Sequence, residues 1–131
     1  MKECIFCKIA SGSVEAKKVW EDEKYLAFLD LEPITEGHLL LIPKKHSDYI
    51  FDLAEDEYRN LFDIAKKIAG PLKEAMRAKR VGIIVEGFGV PHVHIHLVPI
   101  NLGNELDPNR AHRVDETQLN KTAEVIAKSL T

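Results

Sequence analysis

Cysteine is scarce in this chain of 131 residues: only Cys4 and Cys7 occur, as Cys4-Ile5-Phe6-Cys7. So few cysteines argue against a disulfide-stapled scaffold, and in a reducing compartment a close pair is a metal half-site or a redox pair before it is a structural bridge. No apolar run approaches the roughly 20 residues of a membrane span. The opening Met1-Lys2-Glu3-Cys4 carries charges and no apolar stretch of signal-peptide length, so a cytoplasmic protein with no membrane partner is expected. Charge of one sign is also lacking. A formal net charge of -3 gives no basic face for non-specific nucleic-acid binding, although it leaves room for a nucleotide at one local site. Repeats and low-complexity segments are absent. With 45% hydrophobic and 30% charged residues, the expectation is one globular domain over 1–131.

Histidine, by contrast, is concentrated. Three of the six histidines stand in His92-Val93-His94-Ile95-His96, followed by Leu97-Val98-Pro99. On a strand the three imidazoles would share one face, with Val93, Ile95 and Leu97 turned into a core. Folding gives no reason for such a row. Histidine serves as base, nucleophile or metal ligand near neutral pH, so the row points to a site.

Around it the chain reads as an α+β, mostly antiparallel layout. Strands are expected over 18–21, 25–29 and 38–43, with Asp22-Glu23-Lys24 as a hairpin turn between the first two. A long helix follows, opened by Asp52 and Glu55 at capping-box spacing and carrying Leu61, Ala65, Ile68 and Leu72 at helical intervals. Gly70-Pro71 inside it predicts a kink or break, because proline loses the bond to the Lys67 carbonyl. Strands over 81–85 and 93–100 come next, joined by Glu86-Gly87-Phe88-Gly89-Val90-Pro91. Residues 101–114 read as an irregular loop. Asp115 with Gln118 opens a final helix with Leu119, Ala123, Ile126 and Leu130 on its buried stripe.

Strand geometry prevents the row from acting as one ligand set. At about 3.3 Å per residue, His92 and His96 lie roughly 13 Å apart, whereas zinc–nitrogen bonds are only about 2.0–2.1 Å. Adjacent members, at about 6.6 Å, can share a metal, so at least one histidine has another task. A closed structural zinc site needs four ligands: Cys4 and Cys7 supply two, His46 after Pro43-Lys44-Lys45 can be a third, and one of the row a fourth. A thioredoxin-like use of the cysteines, two plain core cysteines, and a solvated turn histidine at position 46 remain the alternatives. If the first histidine goes to zinc, His94 and His96 stay side by side, one able to act as a nucleophile and the other to stabilise charge or carry a proton. Gly87 and Gly89 either make a tight turn or offer backbone amides to an anion. With the row beside them, phosphate chemistry is favoured. Arg110, His112 and Arg113 can reach a phosphate, but a solvated loop is the preferred reading for them.

The stretch His92-Val93-His94-Ile95-His96-Leu97-Val98 resembles the signature of the histidine triad (HIT) family. Cys4-Ile5-Phe6-Cys7-Lys8-Ile9 and Gly37-His38-Leu39-Leu40-Leu41-Ile42-Pro43-Lys44-Lys45-His46 resemble it as well, in the family's order and spacing, so the likeness spans about residues 4–100. It implies a HIT-like fold of about five antiparallel strands with a long central helix and a C-terminal helix, usually as a homodimer whose sheet continues across the interface. It implies a hydrolase or transferase acting on nucleotides, such as dinucleoside polyphosphates or nucleoside phosphoramidates, without an organic cofactor. By that likeness His94 attacks the α-phosphate to form a nucleotidyl-histidine intermediate, and His96 contacts the phosphate. Structural zinc falls to Cys4, Cys7, His46 and His92. Asp30 matches the acidic residue on the ribose hydroxyls, while Phe6, Leu29 and Leu31 are candidates for the base pocket, each of which can equally be core.

Two departures stand out. Many relatives carry asparagine at the end of the strand before the triad, where this chain has Val85-Glu86-Gly87. They also place Ser or Thr three residues before the first histidine, often preceded by Gln, where this chain has Gly89 preceded by Phe88. Backbone amides of Gly89 and Val90 are left to bind phosphate. The missing side chains keep two alternatives open: a nucleotide-binding regulatory module with weak turnover, and a metal-dependent hydrolase that uses the histidine row.

Overall fold

The computed structural model describes residues 4–131; the charged Met1-Lys2-Glu3 start lies outside them. The expected α+β architecture is what the chain adopts. Helix α1 (Ile5–Ser11) is followed by strands β1 (Lys18–Glu21), β2 (Tyr25–Leu29) and β3 (Leu39–Pro43), helix α2 (Glu55–Ala75), strands β4 (Arg80–Ile84) and β5 (Ile95–Ile100), and helix α3 (Glu116–Ser129). All pairings are antiparallel, in the order β1-β2-β3-β5-β4.

Alternation along the strands sorts the side chains onto two faces. One face, with Tyr25, Ala27, Leu29, Leu39, Leu41, Ile95 and Leu97, packs against Leu61, Ile64, Ile68 and Leu72 of α2 and Leu119 and Ile126 of α3. The other carries Leu26, Phe28, Leu40 and Ile42 beneath Phe6 and Ile9 of α1. His96 pairs with Leu40 on one side and Ile84 on the other, so it joins this second face. Val93, Ile95 and Leu97 are buried in the helix-side core, as the alternation predicts.

Several expectations need correction. Helix α1 has no periodic signal in the sequence, its seven residues being too few to show one; it forms because Cys4 caps it, Sγ accepting from the Cys7 amide at 3.4 Å. Residues Ile50–Asp52 form a short 3-10 turn, and α2 starts later, with the Glu57 carboxylate accepting from the Ala54 amide at 3.4 Å. Asp52 and Glu55 therefore do not cap it. The expected break at Pro71 is also absent: α2 runs unbroken to Ala75, and the exposed Lys67 and Gly70 place the bond that proline forfeits on the solvent side. The loop 101–114 contains a 3-10 turn at Pro108–Arg110. The C-terminal helix begins as expected, with Asp115 Oδ1 accepting from the Gln118 amide at 2.9 Å.

This tail also crosses the second face. Leu106 lies over Gly82 of β4, where an added Cβ would come within 2.7 Å of its side chain. Farther on, the His112 amide donates to the Pro33 carbonyl at 3.2 Å. Among the described residues no helix is long and apolar enough to cross a membrane.

Candidate functional site

Only His96 of the three row histidines lies within β5. His92 and His94 occupy the extended segment just before it, held by the chain that follows β3: the Val93 amide donates to the Ser47 carbonyl at 2.7 Å. His92 is fully buried and donates from Nε2 to the Pro43 carbonyl at 2.8 Å. A carbonyl can only accept, so the proton sits on Nε2 and Nδ1 keeps its lone pair. That Nδ1 faces Cys4 Sγ at 3.3 Å and Cys7 Sγ at 3.5 Å, while His46 Nδ1 lies 3.3 Å from Cys7 Sγ.

The ligand atoms of Cys4, Cys7, His46 and His92 all lie within 4.8 Å of one another. A tetrahedron with zinc–sulfur bonds of about 2.3 Å and zinc–nitrogen bonds of about 2.0–2.1 Å has sulfur–nitrogen edges of about 3.5 Å. The observed separations match, both cysteines are free, and the Pro43 carbonyl supplies the hydrogen bond that fixes a ligating imidazole. The four residues expected to hold zinc are thus brought together, and their donor set fits the ion with no position left open. Without a metal, burial lowers the pKa of His92 and raises that of Cys7.

His94 and His96 point elsewhere. His94 donates from Nδ1 to the His92 carbonyl at 2.7 Å, so that in the neutral ring the lone pair a nucleophile requires is on Nε2. The rings of His94 and His96 meet edge to face with centroids 4.9 Å apart, and Phe6 packs its ring on His94 at 5.1 Å. Both histidines line a cavity of about 400 Å³, bounded also by Phe6, Asp30, Ile34, His38, Leu40 and Ile84. The turn residues Glu86, Gly87, Gly89 and Val90 line it as well, as do Pro108 and Ala111 of the tail. Asp30 accepts from the Glu32 amide at 2.9 Å and has its pKa raised, burial being the largest cause.

The sequence-based pocket assignments thus divide. Phe6, Asp30, Gly89 and Val90 line the cavity that His94 and His96 share. Leu29 does not; alternation after Phe28 turns it into the helix-side core. Leu31, 55% exposed, lies outside the cavity as well.

Sequence reasoning assigned no role to His38, which is 2% exposed. Its Nδ1 accepts from the Ile34 amide at 3.0 Å, and its Nε2 lies 2.9 Å from His96 Nδ1. Burial pushes His38 down to about 4; burial, followed by the neighbouring His94 and His38, pushes His96 down to about 4 as well. The available signal was a fourth histidine at the start of a strand of otherwise apolar residues. Gly37 places it there with φ +89, in a spot where an added Cβ would meet Met76 at 2.5 Å.

A model of the HIT domain family matches residues 11–101. An uncharacterized HIT-like protein of Methanocaldococcus jannaschii is 42% identical over 101 residues, covering 73% of this chain and 78% of that protein. The adenosine 5'-monophosphoramidase of Schizosaccharomyces pombe is 36% identical over 99 residues, covering 73% of each. Among solved structures, a zinc-bound histidine triad family protein of Mycobacterium smegmatis superimposes with a TM-score of 0.84 at 28% identity, over 98% of this chain and 94% of that one.

Proposed function

Because this chain belongs to the HIT domain family, we propose that it hydrolyses a nucleoside phosphate derivative through a nucleotidyl intermediate on His94. One observation carries the reading. His94 is oriented by its own Nδ1–H bond to the His92 carbonyl at 2.7 Å, so that its free Nε2 is available in a cavity large enough for a nucleotide.

The nucleoside lies between Phe6, Ile34 and Leu40, with Asp30 on the ribose hydroxyls. The α-phosphate lies over His94, within reach of His96 and of the backbone amides of Gly89 and Val90. His94 Nε2 forms a bond to phosphorus as the bond to the leaving group breaks. Water then displaces the nucleotide from Nε2, which restores the free imidazole. A nucleoside phosphoramidate is the favoured substrate class, since a relative of similar length is an adenosine 5'-monophosphoramidase; a dinucleoside polyphosphate is the second.

Structural zinc on Cys4, Cys7, His46 and His92 would tie α1 and the segment after β3 to the start of the histidine row. It has no open position and takes no part in the chemistry. Thiolates at Cys4 and Cys7 suit a reducing, cytoplasmic setting. A homodimer formed through the open edge of β4, where Ile83 is 47% exposed, would continue the sheet across two copies.

The test is His94→Ala. Turnover of an adenosine phosphoramidate is expected to fall by at least about a thousandfold with the fold retained, as when an enzyme loses its nucleophile. Mass spectrometry of the rapidly quenched wild-type reaction should find the nucleotide on His94. Wild-type rates in the variant, or a label elsewhere on the chain, would overturn the mechanism. Tight nucleotide binding without turnover across both substrate classes would favour the regulatory module instead.

A further inference from the structure

The hydrogen bonds around His38 form a chain in which every proton has one allowed position. It begins at the Ile34 amide, which can only donate. Its partner at 3.0 Å, His38 Nδ1, must therefore be the acceptor. A neutral imidazole with Nδ1 unprotonated carries its proton on Nε2. That Nε2–H points at His96 Nδ1, 2.9 Å away, so His96 Nδ1 is an acceptor in turn. The proton of a neutral His96 is then on Nε2.

Reversing the middle bond would put a proton on His38 Nδ1, facing the Ile34 amide hydrogen. In a site where His38 is 2% exposed, two opposed donors have no water to relieve them. The amide itself is fixed, because the loop that carries it is pinned by Thr35, whose hydroxyl donates to the Pro99 carbonyl at 2.6 Å. The tautomer of His38 also removes a rival use of these residues. Asp30, His38 and His96 offer ligand atoms within 4.8 Å of one another. However, His38 Nε2 is committed as a donor and has no lone pair for a metal.

We propose that His38 is a positioning residue that locks His96 as a neutral imidazole with its Nε2–H directed into the cavity. His96 then serves the reaction as a fixed hydrogen-bond donor to a phosphoryl oxygen and not as the acid that protonates the leaving group. Protonating His96 would require a second hydrogen on Nδ1, directly against His38 Nε2–H. The other ionisable groups near it are Asp30 and His94: the first favours a cation on His96 and the second opposes one. When the bond from phosphorus to the leaving nitrogen or oxygen breaks, that atom takes its proton from water. His96 Nε2–H keeps its own proton and follows the charge that grows on the phosphoryl oxygen.

This assignment rests on the phosphate-transfer reading for its consequence but not for its observable. Long-range proton–nitrogen correlation on the full chain, labelled with ¹⁵N-histidine, reads the tautomer of each imidazole without any substrate, and His96→Asn identifies the relevant signals. The expected result is His96 neutral, with the proton on Nε2, at pH 7 and unchanged when AMP is added. A proton on Nδ1, or an imidazolium at pH 7 in either state, overturns the proposal. A second arm uses turnover. His38→Phe keeps the ring but lacks the donor, and should lower kcat by about tenfold to a hundredfold with a smaller change in KM, the scale of losing one aligned donor. His38→Gln returns an N–H at the position of Nε2 and should recover most of that loss. Equal rates in the two variants overturn the positioning role, whereas a wild type inactive on every substrate class fails the hydrolase reading and leaves the tautomer result standing.

Discussion

The Nδ1–H of His94 donates to the backbone carbonyl of His92 at 2.7 Å, while the His92 ring gives its own Nε2–H to the carbonyl of Pro43 at 2.8 Å. The proposed nucleophile is therefore aimed by the backbone of a residue whose side chain belongs to the Cys4, Cys7 and His46 cluster. Two positions apart in sequence, the two histidines face different groups of side chains and are coupled through one carbonyl group.

That coupling makes the metal cluster testable. Wild-type protein should hold about one zinc per chain, the stoichiometry of a single four-ligand site. Cys4→Ser should lose it, lower Tm by at least about 5 °C, and reduce turnover only in part. Metal analysis, thermal melts and turnover on one preparation check all three. Activity that vanishes with a chelator and returns with zinc would instead make the metal catalytic.

Asp30 is proposed to trade stability for binding. Burial raises its folded-state pKa above the ordinary value for an aspartate, so the folded protein holds the proton more tightly than the unfolded chain. Stability therefore falls as pH rises through the interval between the two values, and the deficit persists at neutral pH. Asp30→Asn keeps an acceptor for the Glu32 amide and removes the buried charge. It is expected to raise Tm at pH 7, by an amount that shrinks toward pH 4, and to raise KM about tenfold through a lost ribose contact. Unchanged KM would remove Asp30 from the substrate site.

The buried histidines act in the opposite sense. His38 and His96 are held neutral down to about 4, against 6.5 for an unperturbed histidine. Between those values the unfolded chain binds more protons, so the stability these groups confer is complete above about 6.5 and is lost as pH falls toward 4. At saturating zinc, the plot of Tm against pH should be less steep across this window for His38→Gln than for wild type. Parallel curves would show that His38 is not depressed by the fold.

Gly89 offers a gain-of-function experiment. An added Cβ there meets nothing within 4 Å, and the residue lines the cavity that holds His94 and His96. Gly89→Ser should leave Tm unchanged and raise kcat about tenfold, if a hydroxyl supplies the leaving group with a proton that water now provides. An unaltered rate would mean that a side-chain hydroxyl at this position is not what limits this protein.

Much of the molecule was legible because its signals are local. The period-two alternation of Val93, Ile95 and Leu97 gave the core face of the row, and Asp115 ahead of Gln118 marked the start of α3. Leu29 was ambiguous because a strand buried on both faces has no polar side to orient it. Pro71 misled because its cost depends on whether the freed carbonyl meets solvent, which the helix period alone does not reveal. The role of His38 was invisible for a deeper reason: it depends on the amide of Ile34 and the ring of His96, which is 58 residues away in sequence.

The sequence by itself determined the antiparallel α+β class, the concentration of chemistry in the histidine row, and the impossibility of one metal serving all three rings. Those conclusions follow from residue identity, strand rise and bond lengths, which do not depend on how distant segments meet. Tertiary structure alone decided which imidazole nitrogen carries each proton. The carbonyls of Pro43 and His92 and the amide of Ile34 each accept or donate in one direction only, and that one-way character gives three chemically identical side chains the three different roles proposed for them.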